Sequence, residues 1–193
     1  MKSLVQPHFV VQGSNVDNPV NGMEGIHQQS VDVLIETIRK DVEHGITAIM
    51  LFGVVEQSDK DEQATKASDS TSHLHEAIKQ IKSEFGDTIV IMTDVCLCTA
   101  TNHGHCGLVE HDHIVNDASD HRLCEIAVSH AQAGADYVCA SDMMDGRVSA
   151  IRHALETANH TSTGVLSYSV KYASSFYGCL LYTSDAADDV RSG

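Results

Sequence analysis

The chain has 193 residues, enough for one ordinary domain with a sizeable core. Lys and Arg number 12 against 27 Asp and Glu, a formal charge of −15 with no basic cluster, which argues against a nucleic-acid partner because phosphate neutralisation needs gathered cations. No stretch approaches the ~18 consecutive apolar residues of a membrane helix. The N-terminus Met1-Lys-Ser-Leu-Val-Gln-Pro7 also lacks the apolar core of a secretory signal, so a cytoplasmic protein is expected. In that compartment the six cysteines read as metal ligands or buried thiols ahead of disulfides.

Short apolar runs alternate with amphipathic stretches. Residues 5–11 read as a first strand ended by Gly13, and a polar loop follows. Ser30 stands as N-cap to a helix over 31–44, with Val31, Leu34, Ile35 and Ile38 at helical spacing and Gly45 as its stop. Residues 46–55 form a second strand, and 56–72 a polar loop with local turns. A helix over 74–85, with Ile78 and Ile81 on one side, closes at Gly86. The third strand, 88–95, is apolar until Asp94. After a cysteine-rich loop come a helix over 122–133, a short strand over 136–139, a helix from Asp145 or Gly146 to about Ala158, and a fifth strand starting at 164–167.

This repeated strand–helix order implies parallel strands, since each return must cross over the sheet. Near-continuous apolar strands fit a sheet covered on both faces. Two α/β folds compete: an open doubly wound sheet and a (β/α)8 TIM barrel, of which about five βα units would be present. No Gly-x-Gly-x-x-Gly follows the first strand, which weakens the dinucleotide-binding version and favours the barrel.

Chemistry concentrates after the third strand. Cys96, Cys98 and Cys106 crowd one loop, with His105 beside the last and His103 nearby. The spacing differs from the paired Cys-x-x-Cys knuckles of structural zinc ribbons. Three thiolates suit zinc and leave a fourth position for water or a substrate oxygen, the usual mark of a catalytic site. The opposing reading is three unliganded buried thiols. His105 is a weaker fourth candidate, because adjacent residues seldom both face one ion. Met143 and Met144 read as packing, and Asp142 and Asp145 as caps for the helix that follows.

Three segments carry a resemblance. Asp94-Val-Cys96-Leu-Cys98, followed by Thr101-Asn-His103-Gly-His105-Cys106-Gly107, resembles the signature of the zinc-dependent branch of the porphobilinogen synthases, also called 5-aminolevulinate dehydratases. Leu166-Ser-Tyr168-Ser-Val-Lys171-Tyr-Ala-Ser-Ser-Phe-Tyr177-Gly178 is similar to the family segment bearing one of two Schiff-base lysines, and Ser141-Asp-Met-Met-Asp-Gly-Arg147 to a third family motif. Asn102 stands where serine is usual, Glu24 where proline is, and Cys139-Ala140 where Ala-Pro is.

The resemblance implies condensation of two 5-aminolevulinate molecules to porphobilinogen in tetrapyrrole biosynthesis, on a TIM barrel. It implies Lys171 and Asp94 as catalytic residues, Ser141 and Tyr177 as substrate contacts, and Zn2+ on Cys96, Cys98 and Cys106. A homo-oligomer, commonly an octamer, follows from it as well. The resemblance spans 1–178; residues 179–193 depart from the family's Pro-Phe-Arg continuation and are expected as a non-family tail. On that expectation the second lysine and the carboxylate-binding arginines are missing, and the fragment alone is inactive. A lysine-dependent class I aldolase would explain Lys171 but not the cysteines, and a non-catalytic zinc module the cysteines but not Lys171.

Overall fold

A computed structural model of the chain describes residues 4–169. Its elements in order are β1 (Gln6–Val10), β2 (Asp17–Pro19), β3 (His27–Gln29), α1 (Val31–Glu43), β4 (Ala48–Gly53), α2 (His73–Phe85), β5 (Val90–Val95), β6 (Leu108–Glu110), β7 (His113–Val115), α3 (Asn116–Ala133), β8 (Tyr137–Ala140), α4 (Arg147–Thr157) and β9 (Gly164–Ser167). Residues 179–193 lie outside the described residues.

The helices form where apolar residues recur on one side. In α1, Val31, Leu34, Ile35 and Ile38 are all buried, and in α2 Leu74, Ala77, Ile78 and Ile81 are. Gly86 at φ 55° and Gly134 at φ 115° end α2 and α3, in a backbone region that glycine enters without a Cβ penalty. Ser30 precedes α1 as expected but makes no side-chain bond to the helix's own N–H groups. Its hydroxyl instead accepts from Val16 N at 2.9 Å and donates to Asp32 Oδ1 at 2.5 Å, so it fastens the preceding loop to the helix.

The main sheet has the order β2-β3-β1-β4-β5-β8-β9. Strands β1, β4, β5, β8 and β9 pair in parallel and stand in the sheet as they stand in the chain. A doubly wound sheet reverses its strand order at a switch point; these five strands run on in one direction, and the three-residue β3 lies parallel on the other side of β1. The sheet also curls. Tyr168, just past β9, brings its hydroxyl to 3.0 Å from Met50 Sδ on β4, with β8 and β5 between them. Three strand spacings make about 14 Å on a flat sheet, and side chains standing perpendicular to it would not meet across that distance. Monotonic order with curl is the barrel arrangement rather than the open one.

Alternation along the strands divides the two faces. Val10, Ile49, Leu51 and Ile91 pack under α1 and α2, while Val95, Val138 and Ala140 pack under α3 and α4. The concave face carries Phe9 and Phe52, opposite one another in register and stacked at 5.3 Å, and continues through Met50, Met92 and Asp94. Three features differ from expectation. The polar loop before α1 holds β2 and β3, with β2 antiparallel; the stretch after the cysteine loop holds the β6–β7 hairpin; and α3 starts at Asn116. All three lie in short segments where local partners, not hydrophobic period, decide the conformation.

Beneath β5 a polar network is sealed between helices. His75 of α2 and His130 of α3, each 1% exposed, meet edge to face at 5.2 Å. His130 Nδ1 lies 3.1 Å from Thr93 Oγ1, while His75 contacts Ser72 Oγ at 2.8 Å and Ser129 Oγ at 3.0 Å. Burial pushes His75 down to about 4 and His130 down to about 3. Both sit below the ordinary imidazole value of ~6.5, so the unfolded chain binds more protons as pH falls; stability is full above that value and declines below it toward both folded-state values. At pH ~5, where most carboxylates are still ionised, the loss is on the order of 2 kcal/mol per histidine. Urea midpoints should therefore drop between pH 7 and pH 5, and a midpoint constant over that range would show that the two imidazoles are not held neutral.

Candidate active site

Strand β5 delivers Asp94 and Cys96 to one side of the sheet end, with Val95 between them pointing into the helix-side core. The chain then turns tightly: Ala100 N and Thr101 N both donate to Leu97 O, at 2.9 and 3.0 Å, and Leu97 is fully buried. That turn sets Cys98 against Cys96, their sulfurs 3.2 Å apart. A second segment holds the turn from outside, with Asp61 N donating to Ala100 O at 3.2 Å and Asn102 N to Asp61 O at 3.1 Å. Gly104, at φ 76°, sends the loop back so that Cys106 joins the pair.

The three sulfurs lie within 4.8 Å of one another. Zn–S bonds of ~2.3 Å on a tetrahedron require sulfurs about 3.8 Å apart, so the trio can hold a metal ion with little adjustment. Electrostatics agree with the geometry. The Cys106 thiol beside it, with burial adding, pushes Cys96 up to about 12. The same neighbour first, then Cys96 and burial, raise Cys98 well above the ordinary thiol value. Thiolates packed this closely repel one another unless a cation lies between them, and a coordinating thiol loses its proton outright. His105 stays outside the sulfur cluster; its backbone N donates to His103 Nδ1 at 3.1 Å and the two rings lie 5.2 Å apart.

The neighbouring strand supplies the rest. Asp94 stands opposite Cys139 and Val95 opposite Ala140, so Ser141 leaves β8 beside Cys96, its N donating to Val95 O at 3.3 Å. Burial first, then the Asp94 charge, pushes Cys139 up to about 12 and raises Tyr168 above the usual phenol value. Asp94, Cys139 and Tyr168 thus share the concave face next to the sulfurs. A cavity of about 470 Å³ opens over the strand ends and reaches Asp94 and Cys96, with Glu56, Lys66 and Thr99 also on its wall.

Asp142 reads as a helix cap when taken alone, while the family resemblance leaves it a structural or site-shaping group. It is 1% exposed, and burial pushes its carboxyl up to about 6. Its Oδ1 accepts from Met144 N at 2.8 Å and faces Arg147 Nε at 3.4 Å. It therefore shapes the 141–147 turn beside Cys96, whereas Gly146 at φ 88° precedes α4 with no side-chain cap. Met144 is buried as packing predicts, but Met143 is exposed. Lys171 and Tyr177 lie outside the described residues. A Co2+ or Zn2+ titration should show one tight site per chain, and Cys98→Ala should weaken it by at least the ~10- to 100-fold typical of losing an orienting partner, with the far-ultraviolet dichroism preserved. An unchanged affinity would remove that thiol from the site.

Comparison with known proteins shows the family of the chain. The family model described as delta-aminolevulinic acid dehydratase matches residues 1–190. A delta-aminolevulinic acid dehydratase from Methanothermus sociabilis is 43% identical over 189 residues, covering 96% of this chain and 58% of its own length. One from Halalkalibacterium halodurans is 45% identical over 175 residues, covering 91% and 52%. Among solved structures, the delta-aminolevulinic acid dehydratase (porphobilinogen synthase) of Toxoplasma gondii ME49, in complex with the reaction product porphobilinogen, superposes with a TM-score of 0.90 at 40% identity, over 96% of this chain and 53% of that one. The chain thus spans about half the length of these relatives. With the family model covering nearly every residue, it belongs to the delta-aminolevulinic acid dehydratase family.

Proposed function

We propose that the protein of which this chain forms part condenses two molecules of 5-aminolevulinate into porphobilinogen, with loss of two waters. The observation that carries this reading is the trio of Cys96, Cys98 and Cys106 sulfurs, within 4.8 Å of one another, at the carboxyl ends of parallel strands in a chain of this family. Ligand chemistry gathers at that end in barrels of this kind.

Cys96, Cys98 and Cys106 are the residues that would hold a metal, and three thiolates select zinc over hard cations such as magnesium. When bound, zinc supplies Lewis acidity toward a substrate carbonyl oxygen or a water. The remaining roles fall to the chain's own groups. Lys171 is the amine for one substrate ketone: its nitrogen adds to the carbonyl carbon, and the carbonyl oxygen leaves as water to give an imine. The amine must be neutral to attack, which requires its value to fall from ~10.4 through burial or a nearby positive charge. Asp94, held on the concave face beside Cys139 and Tyr168, accepts and returns protons as bonds form between the substrates. Ser141, leaving β8 beside Cys96, and Tyr177 contact substrate.

Borohydride trapping tests the reading. Incubation with 5-aminolevulinate and reductant should place a stable adduct on the peptide containing Lys171, and Lys171→Met should abolish it. Sugar phosphates should give none. An adduct with an aldose phosphate, or an aminolevulinate adduct on that same peptide that survives Lys171→Met, would contradict it.

A further inference from the structure

Two of the three sulfurs come straight off β5 through one tight turn, so strand pairing fixes them. Cys106 has no such support, because it must return along the glycine-containing stretch from 102 to 107. We propose that Thr101 and Ser119, two fully buried hydroxyls with no direct part in ligation, are positioning residues that set Cys106 against Cys96 and Cys98. The proposal rests on the reading of that trio as a metal site.

The two hydroxyls bracket Cys106. On one side Thr101 Oγ1 donates to the carbonyl of His105, the residue before it, at 3.1 Å. On the other, Ser119 Oγ accepts from the backbone N of Leu108, two residues after it, at 2.8 Å and donates to Val115 O at 2.6 Å. Both side chains are 0% exposed, so neither hydroxyl has solvent as an alternative partner. Ser119 lies near the start of α3, where alanine would favour the helix more. Its bond to Val115, four residues back, leaves an oxygen lone pair aimed out of the helix at Leu108, and this second bond is what alanine lacks.

Gly107 shows how closely the bracket fits. A Cβ there would meet Ile114 Cγ2 at 2.4 Å, Ser119 Oγ at 3.0 Å and Met144 Cε at 3.2 Å, so the backbone beside Cys106 is wedged between the β6–β7 hairpin, α3 and the 141–147 turn. The start of α3 grips that turn too, with Asn116 Nδ2 donating to Asp145 O at 3.0 Å and Asp145 N to Asn116 Oδ1 at 2.7 Å. One helix start therefore indexes the third thiol and the Ser141 segment to the same frame.

Partners that orient metal ligands typically change affinity about 10- to 100-fold when removed. In the 193-residue chain, Co2+ affinity is read by chelator competition on the sulfur-to-cobalt charge-transfer absorption. Thr101→Val and Ser119→Ala should each weaken binding about tenfold or more, while Thr101→Ser, which keeps the hydroxyl, should restore it. A structural role would also lower the metal-free melting temperature, so the deciding measurement is a double-mutant cycle. In a Cys106→Ala background neither hydroxyl change should weaken Co2+ binding further. Equal losses in both backgrounds, or no loss with Cys106 present, would overturn the proposal. If Ser119→Ala does not fold, the Thr101 arm decides alone by the same criterion. A parent chain showing no sulfur-to-cobalt absorption would sink the metal-site reading before any hydroxyl is changed, and this proposal with it.

Discussion

The parallel pairing of β5 with β8, with Asp94 opposite Cys139 and Val95 opposite Ala140, is the constraint from which the site follows. Parallel neighbours release the chain at the same end of the sheet, so the cysteine loop and the Ser141–Arg147 turn emerge side by side. An antiparallel partner would send one of them to the far end. A slip of one residue would reverse Asp94 and Cys96 into the helix-side core, because alternate residues face opposite ways. Register is protected by burial: Ile91 and Val95 of β5 and Val138 and Ala140 of β8 are all packed under helices and have no second arrangement of comparable burial.

That rigid frame holds a locally unfavourable cluster. Sulfurs within 4.8 Å of one another in a buried loop cannot ionise together, and Cys106 raises the proton affinity of both Cys96 and Cys98. A divalent cation converts this repulsion into attraction, so a bound metal would also add to folding stability by mass action. The loop is prepared for that state by backbone bonds at Leu97, by the Asp61 segment and by the buried Thr101 and Ser119 hydroxyls. The frame is held by apolar packing, and the loop both by hydrogen bonds and by Leu97 and Ala100, which are buried in the same core as Val95 and Val138.

The parts of the fold legible in sequence are those with strong period or composition. The five parallel strands and the helices over α1, α2 and α4 stand within a few residues of where hydrophobic spacing puts them. The cysteine trio is legible because three thiols within eleven residues of a His-rich loop are denser than packing alone calls for, and their soft donors suit a metal. What escapes depends on partners distant in the chain. β2 and β3 are three-residue strands that exist because β1 offers an edge, and the β6–β7 hairpin pairs two three-residue runs too short for a period to show. Residues 116–121 of α3 read as polar, and only Ser119 among them is buried, through bonds no spacing rule reveals. Asp142 reads as a helix cap because acids before helices usually are; its burial beside Cys96 follows from the β5–β8 register alone.

The claim that everything else leans on is that Cys96, Cys98 and Cys106 act together on one ion. X-ray absorption fine structure of the zinc-loaded chain measures this directly. The account predicts three sulfur neighbours at about 2.3 Å and one lighter oxygen or nitrogen neighbour completing a tetrahedron. A first shell with one or two sulfurs, or one filled by oxygen and nitrogen alone, would contradict it.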